Sequence, residues 1–81
     1  MTNEARQKLR DFIAGLLEKR GQRRDFSDSD PLFTSGRLDS FSMTTLIVYL
    51  EETFGIDFAK VDFDVDLVDT IDDIAILTSQ A

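Results

Sequence analysis

Apolar residues at helical spacing constrain this chain most, because they recur in two long segments that each end at a glycine. In residues 4–20 the apolar positions fall at i, i+3, i+4, i+7 and i+8, and residues 40–54 carry a second stripe of similar helical spacing. Gly21 and Gly55 are the expected stop signals. A third, shorter helix is predicted over residues 70–79. The two stripes are Leu9, Phe12, Ile13, Leu16 and Leu17, followed by Met43, Leu46, Ile47, Leu50 and Phe54.

The connections between these helices differ in character. Residues 21–39 form a long polar loop, which four apolar side chains are expected to pin to the core: Phe26, Leu32, Phe33 and Leu38. In residues 56–68, apolar residues alternate with aspartates, which is a strand period. A single short strand would have no partner in a helical chain, so we read an irregular segment with its apolar residues inward. The fold class is therefore all-α: a small bundle of three main helices, a long loop after the first, and room for one short extra helical turn.

Composition narrows the function. The 81 residues are expected to form one domain, residues 1–81, with a net charge of −7. Such an acidic chain is a poor nucleic-acid binder, and no segment predicts a signal peptide or membrane span, so a cytoplasmic monomer is expected. The chain has no cysteine and no histidine, which removes disulfides, thiolate metal sites and the commonest nucleophiles and general bases. No catalytic residue is predicted.

One face of the second helix is a candidate docking surface. Phe41, Thr45, Val48 and Glu52 lie opposite the buried stripe, and two of these four side chains are apolar. A solvated face normally offers few large apolar groups so close together. The alternative is that these are isolated surface residues of no special role.

An acidic series near the C-terminus offers a second hypothesis. Asp62, Asp64, Asp66 and Asp73 fall at positions 1, 3, 5 and 12 of a calcium-binding loop. The glycine that such a loop needs at position 6 is replaced by Leu67, and the bidentate glutamate by the shorter Asp73. A solvated acidic edge explains the series better, and no metal ligand is predicted.

The step Asp39-Ser40-Phe41 stands directly after the long loop and at the start of the second helix. By itself, Ser40 would be interpreted as a capping serine, with Asp39 as the alternative cap, and no histidine is present to activate it. What remains is a serine presented as an acceptor for the chemistry of another enzyme. Arg37, three residues earlier, is interpreted as a solvated loop arginine in preference to a phosphate contact.

In its wider context this step resembles the acyl carrier protein family. The residues that carry the resemblance are Leu32-Phe33, Gly36, Leu38-Asp39-Ser40-Phe41, Leu46, Leu50-Glu51-Glu52 and Phe54-Gly55-Ile56. The resemblance implies that Ser40 bears 4′-phosphopantetheine from coenzyme A, with Asp39 assisting the modifying transferase and its divalent metal. Cargo would be held as a thioester on the thiol of that arm. The second half, from Phe54 to Ile74, is similar to stand-alone aminoacyl carriers, including D-alanyl carrier proteins.

The resemblance also implies partners: a phosphopantetheinyl transferase, an acyl- or amino-acid-activating ligase, and a downstream acyltransferase or synthase. Carriers of fatty-acid synthesis usually begin this helix with acidic residues, whereas here Ser42, Thr44 and Thr45 occupy those turns. We therefore expect a less electrostatic docking face. The rival hypothesis, from another class, is a small helical adaptor that binds a partner and is never modified.

Overall fold

The first helix, α1, spans Asn3–Lys19. The structure is a computed structural model and describes residues 1–79. Thr2 caps α1, because its side-chain oxygen accepts a hydrogen bond from the Ala5 N–H at 3.0 Å. Past the helix end, Gly21 adopts the left-handed conformation, with a φ of 73°. The predicted helix over 4–20 is thus confirmed with a shift of one residue at each end.

The second helix, α2, spans Ser40–Phe54, the predicted bounds. Asp39 is its N-cap, with its side chain accepting from the Ser42 N–H. Gly55 terminates it in the left-handed conformation at φ 70°, and its N–H donates to the Glu51 carbonyl. Because a side chain at φ 70° would be strained, glycine explains why the helix stops here.

The segment between α2 and the last helix contains no regular strand. It forms two single turns of 3₁₀ helix, Phe58–Lys60 and Val65–Leu67. Asp57 and Asp64 cap them by accepting from backbone N–H groups two residues on, each at 3.0 Å. The expectation that all its apolar residues point inward is wrong for Phe63, which is 46% exposed. Its ring instead meets that of Phe58 edge-on, with centroids 5.9 Å apart.

The third helix, α3, spans Ile71–Ser79. Thr70 caps it: its hydroxyl oxygen accepts from the Asp73 N–H at 2.9 Å and donates to the Asp73 carboxylate at 2.9 Å. These bonds make Thr70, rather than the neighbouring Asp69, the residue that caps α3.

A single apolar core unites the three helices and the long loop. Its fully buried side chains are Leu9, Ile13, Leu17, Leu32, Leu46, Leu50, Val68, Ile71 and Ile74. Phe26 and Leu38 from the loop are also buried, and Phe33 is half-buried, as the loop's apolar pattern predicted. The all-α bundle is thus confirmed. None of the helices within residues 1–79 combines the length and the apolar character that crossing a membrane requires.

Ion pairs tie α1 to the long loop. Asp28 bonds both Arg6, at 2.8 Å, and Arg10. Arg10 also donates to the Phe26 carbonyl at 2.7 Å and lies 4.4 Å from the centre of the Phe26 ring. The loop is therefore fixed against α1 by its first half, which leaves its second half to lead into α2.

Candidate functional site

Ser40 is the first residue of α2, and its side chain is exposed. Hydrogen bonds around it hold the backbone of this turn: Ser42 N–H donates to Asp39 Oδ1 at 2.9 Å, and Met43 N–H donates to the Asp39 carbonyl at 3.0 Å. The Thr44 hydroxyl donates to the Ser40 carbonyl at 3.2 Å. Within residues 1–79 these bonds leave the Ser40 hydroxyl unengaged, so an enzyme approaching from solvent can reach it.

Asp39 uses its second carboxylate oxygen to bind Arg20, the residue that follows α1. Arg20 Nη1 donates to Asp39 Oδ2 at 2.6 Å, and Arg20 Nε donates to the Arg37 carbonyl at 3.0 Å. The Ser42 N–H holds the pKa of Asp39 below its ordinary value, helped by the Ser42 side chain and the charge of Arg20, against an opposing effect of desolvation. Asp39 is therefore ionised and engaged on both oxygens, and it is a poor general base for Ser40.

The Arg20–Asp39 contact yields a first prediction. Arg20→Gln should raise the pKa of Asp39 toward the ordinary value, because a positive charge next to the carboxylate is lost. The pKa should still stay below that value, since the Ser42 N–H remains. A ¹³C NMR titration of the Asp39 carboxylate measures it. Arg24→Gln is the control, because Arg24 pairs with Glu18. An unchanged pKa in Arg20→Gln, or an equal rise in both variants, would contradict the assignment.

Arg37 ties the second half of the loop to its first half. It is half-buried, and its Nη2 donates to the carbonyls of Arg23, at 2.8 Å, and Asp25, at 3.0 Å. The interpretation of Arg37 as a solvated loop arginine is therefore wrong. This role could not be predicted from the sequence, because the partners of Arg37 are backbone carbonyls more than ten residues away, and every residue has a backbone carbonyl.

Asp69, just before α3, anchors the middle of the loop. Its carboxylate accepts from the N–H groups of Phe33, at 2.7 Å, and Thr34, at 3.1 Å, and from the Thr34 hydroxyl at 2.6 Å. Its carbonyl accepts from the Leu32 N–H at 2.8 Å. Burial raises the pKa of Asp69, but the bonds from Thr34, Phe33 and Leu32 together outweigh it and lower the pKa below its ordinary value. A buried carboxylate thus holds the middle of the loop in place.

The predicted docking face is largely exposed. Phe41 is 80% exposed and Val48 46% exposed, Glu52 is exposed and Thr45 is half-buried. Next to Phe41, a groove of about 210 Å³ opens between the end of α1 and the start of α2. It is lined by Leu16, Lys19, Arg20, Asp39, Phe41, Ser42 and Thr45. Lys19 and Arg20, at the end of α1, thus lie beside the Ser40 turn, which no local feature of the sequence indicates.

The acidic series is not gathered into a metal site. Within residues 1–79, no three acidic side chains come close enough together to hold a metal ion. Asp64 caps a 3₁₀ turn and Asp73 bonds the Thr70 hydroxyl, so two members of the series have local structural partners. The calcium hypothesis has no support in this geometry.

Fold and site together define a class: a small helical protein whose second helix begins at an exposed serine, directly after a long braced loop. Comparison with protein-family models matches residues 7–77 to the phosphopantetheine attachment site family. The chain belongs to this family, whose members carry 4′-phosphopantetheine covalently and are carriers rather than catalysts. Such carriers work in general with transferases and synthases. Comparisons with curated proteins and with solved structures found no match.

Proposed function

We propose that Ser40 is the attachment point of 4′-phosphopantetheine. The exposed and unengaged Ser40 hydroxyl at the start of α2 carries this proposal. Its oxygen would attack the pyrophosphate of coenzyme A and form a phosphodiester bond. The phosphorus–oxygen bond to adenosine 3′,5′-bisphosphate would break, and the serine proton would go to a base of the transferase, since the chain has no histidine and both oxygens of Asp39 are engaged.

The start of α2 suits the charge of a phosphodiester. The N-terminus of a helix carries a partial positive charge, and the N–H groups of its first turn lack partners within the helix. Asp39 occupies only the Ser42 N–H, and no acidic residue lies within the first turn itself. The negative charge of Asp39 is offset by Arg20, at 2.6 Å. The residues around Ser40 therefore fit an anionic group bound to its oxygen.

The arm supplies a thiol, and the cargo would be an acyl or aminoacyl group held there as a thioester. An activating ligase would load it, and an acyltransferase or synthase would remove it. The similarity of residues 54–74 to aminoacyl and D-alanyl carriers supports an aminoacyl cargo. We place this carrier in the cytoplasm as one domain over residues 1–81, acting as a monomer. The chain's part is then positioning and effective concentration rather than catalysis.

Intact-mass measurement tests the attachment. The purified chain is incubated with coenzyme A, Mg²⁺ and a broad-specificity phosphopantetheinyl transferase. The expected result is a gain of one phosphopantetheine, which peptide fragmentation locates at Ser40. No gain under conditions that modify a known carrier would favour the unmodified adaptor, and a gain located at another residue would overturn the assignment of Ser40.

The docking face gives a second prediction. Val48→Glu should lower the rate of loading by the partner ligase about tenfold, because a charge replaces an exposed apolar contact. Radiolabelled cargo on the modified chain measures the rate. Thr53→Glu is the matched control, since Thr53 is exposed on α2 but lies about 120° around the helix from Phe41. Unchanged loading in Val48→Glu would remove Val48 from the contact surface.

A further inference from the structure

A groove of about 500 Å³ lies at the far end of α2 from Ser40. A smaller hollow of about 110 Å³ shares Leu67 and Leu77 with it and extends it along α3 to Ile76. We name the two together the distal groove. Its lining is Gly55, Ile56, Asp57, Val61, Asp62, Asp66, Leu67, Asp73, Ile76 and Leu77.

The floor of the distal groove is apolar and part of it is open to solvent. Ile76 is 58% exposed, and Val61 and Leu67 are half-buried. Phe63, which follows the groove residue Asp62, is 46% exposed. Exposed apolar side chains around a hollow are typical of a surface that another molecule covers.

The rim of the distal groove is acidic and largely uncompensated. Its carboxylates are Asp57, Asp62, Asp66 and Asp73. The arginines pair with other carboxylates: Arg6 and Arg10 with Asp28, Arg6 also with Asp72, Arg20 with Asp39, Arg23 with Asp25, and Arg24 with Glu18. Among the rim carboxylates, within residues 1–79, Asp57 alone has an ion-pair partner, Lys60 at 4.0 Å. The rim therefore presents a negative charge that other parts of the described chain do not neutralise.

We propose that the distal groove binds a basic amphipathic helix of a partner protein. Burial of the helix's apolar side chains on the groove floor would supply affinity, and lysine or arginine on its flanks would meet the acidic rim. The same charge repels phosphate backbones and anionic lipid surfaces. A basic amphipathic helix complements both the apolar floor and the acidic rim.

Its position separates this groove from the attachment site. Gly55 lies fifteen residues beyond Ser40, which along a helix is about 22 Å. A partner could therefore hold the carrier at the distal groove while a second enzyme works at Ser40. Such a tether would raise the effective concentration of the carrier near its enzymes without blocking the arm.

A peptide titration of the ¹⁵N-labelled full chain tests the proposal. The probe is a 16-residue helical peptide with leucines on one face and lysines on the other. We expect saturable amide shifts at Ile56, Val61, Leu67 and Leu77 at low salt. A scrambled peptide of the same composition should bind at least tenfold more weakly, because it has lysines but no apolar face. A peptide with glutamate in place of lysine should not bind.

Two variants and one control separate the contribution of the apolar floor from that of the acidic rim. Ile76→Glu should weaken binding at least tenfold although it adds negative charge, because it removes an apolar contact. Ser29→Glu, at an exposed loop position, adds the same charge and should leave binding unchanged. Asp62→Asn with Asp66→Asn should weaken binding and reduce its salt dependence.

No saturable shift, equal binding of the scrambled peptide, or shifts centred on Phe41 and Val48 would each overturn the proposal. Concentration-dependent shifts of the free chain at the same residues would show that a second copy, not a basic helix, occupies the groove. Phosphopantetheinylation of Ile76→Glu should equal that of the unsubstituted chain. Failure at the distal groove is therefore distinguishable from failure of the attachment proposal.

Discussion

Ser40→Ala should abolish the mass gain that coenzyme A and the transferase give to the unsubstituted chain. The alanine lacks the oxygen that would form the phosphodiester bond, and no neighbouring hydroxyl occupies the first position of α2. The expected effect is all-or-none: one phosphopantetheine on the chain with Ser40 and none on the variant. Intact-mass spectrometry after complete reaction measures it.

Thr44→Ala is the matched control for Ser40→Ala. Thr44 is an exposed hydroxyl residue one turn further along α2, and its side chain bonds the Ser40 carbonyl. This variant should keep the full gain, and both variants should keep the helical circular-dichroism spectrum. Modification of Ser40→Ala to any substantial extent would mean that another hydroxyl is the attachment point.

Asp69→Ala should lower the free energy of unfolding by about 3 kcal/mol. The substitution leaves the N–H groups of Phe33 and Thr34 without their acceptor, and a part-buried donor that loses its partner costs about 1–3 kcal/mol. It also removes the bond from the Thr34 hydroxyl. Urea unfolding followed by circular dichroism measures the change.

Asp72→Ala is the control for Asp69→Ala. Asp72 is exposed, and its side chain makes a 3.5 Å contact with Arg6, so its loss should change the unfolding free energy by less than about 1 kcal/mol. Asp69→Ala should also slow modification of Ser40, because the loop that leads into α2 loses its anchor. Equal stability of the two variants would show that the Asp69 hydrogen bonds contribute nothing net.

The same carboxylate predicts an acid-dependent stability. The pKa of Asp69 is lowered in the folded chain, so its ionised form contributes stability above the unfolded pKa of about 3.9. That contribution is lost as the pH falls through the lower pKa of the folded state. Asp69→Asn should therefore show a shallower loss of stability below pH 4, because the asparagine cannot titrate.

The helices and their ends could be predicted from the sequence because their causes are local. The apolar period predicted α1 and α2, and Gly21 and Gly55 follow their ends as the stop signals predicted. The apolar face of α2 was also readable, since Phe41 and Val48 are exposed where the helical period places them. The position of Ser40 at the helix start follows from the same local signals.

The hydrogen bonds and ion pairs that hold the loop and the start of α2 could not be predicted, because each joins residues far apart in the chain. The Asp69 carboxylate meets Thr34 across 35 residues, and Arg20 meets Asp39 across 19. From its neighbours in the sequence, Asp69 could equally be a helix cap, and Arg37 a solvated side chain. Only the tertiary structure shows that both anchor the loop. The alternation of apolar residues and aspartates in residues 56–68 led to a different error. It predicted that Phe63 points inward, but the segment folds into two capped 3₁₀ turns and Phe63 is exposed.

Asp69 and Arg37 both hold the loop that leads to Ser40, Asp69 at Phe33 and Thr34, and Arg37 at the carbonyls of Arg23 and Asp25. A group attached at Ser40 would therefore begin at a turn whose preceding loop is hydrogen-bonded in place. Which enzyme sites a cargo reaches would then depend on the length of the attached arm and on where those enzymes dock.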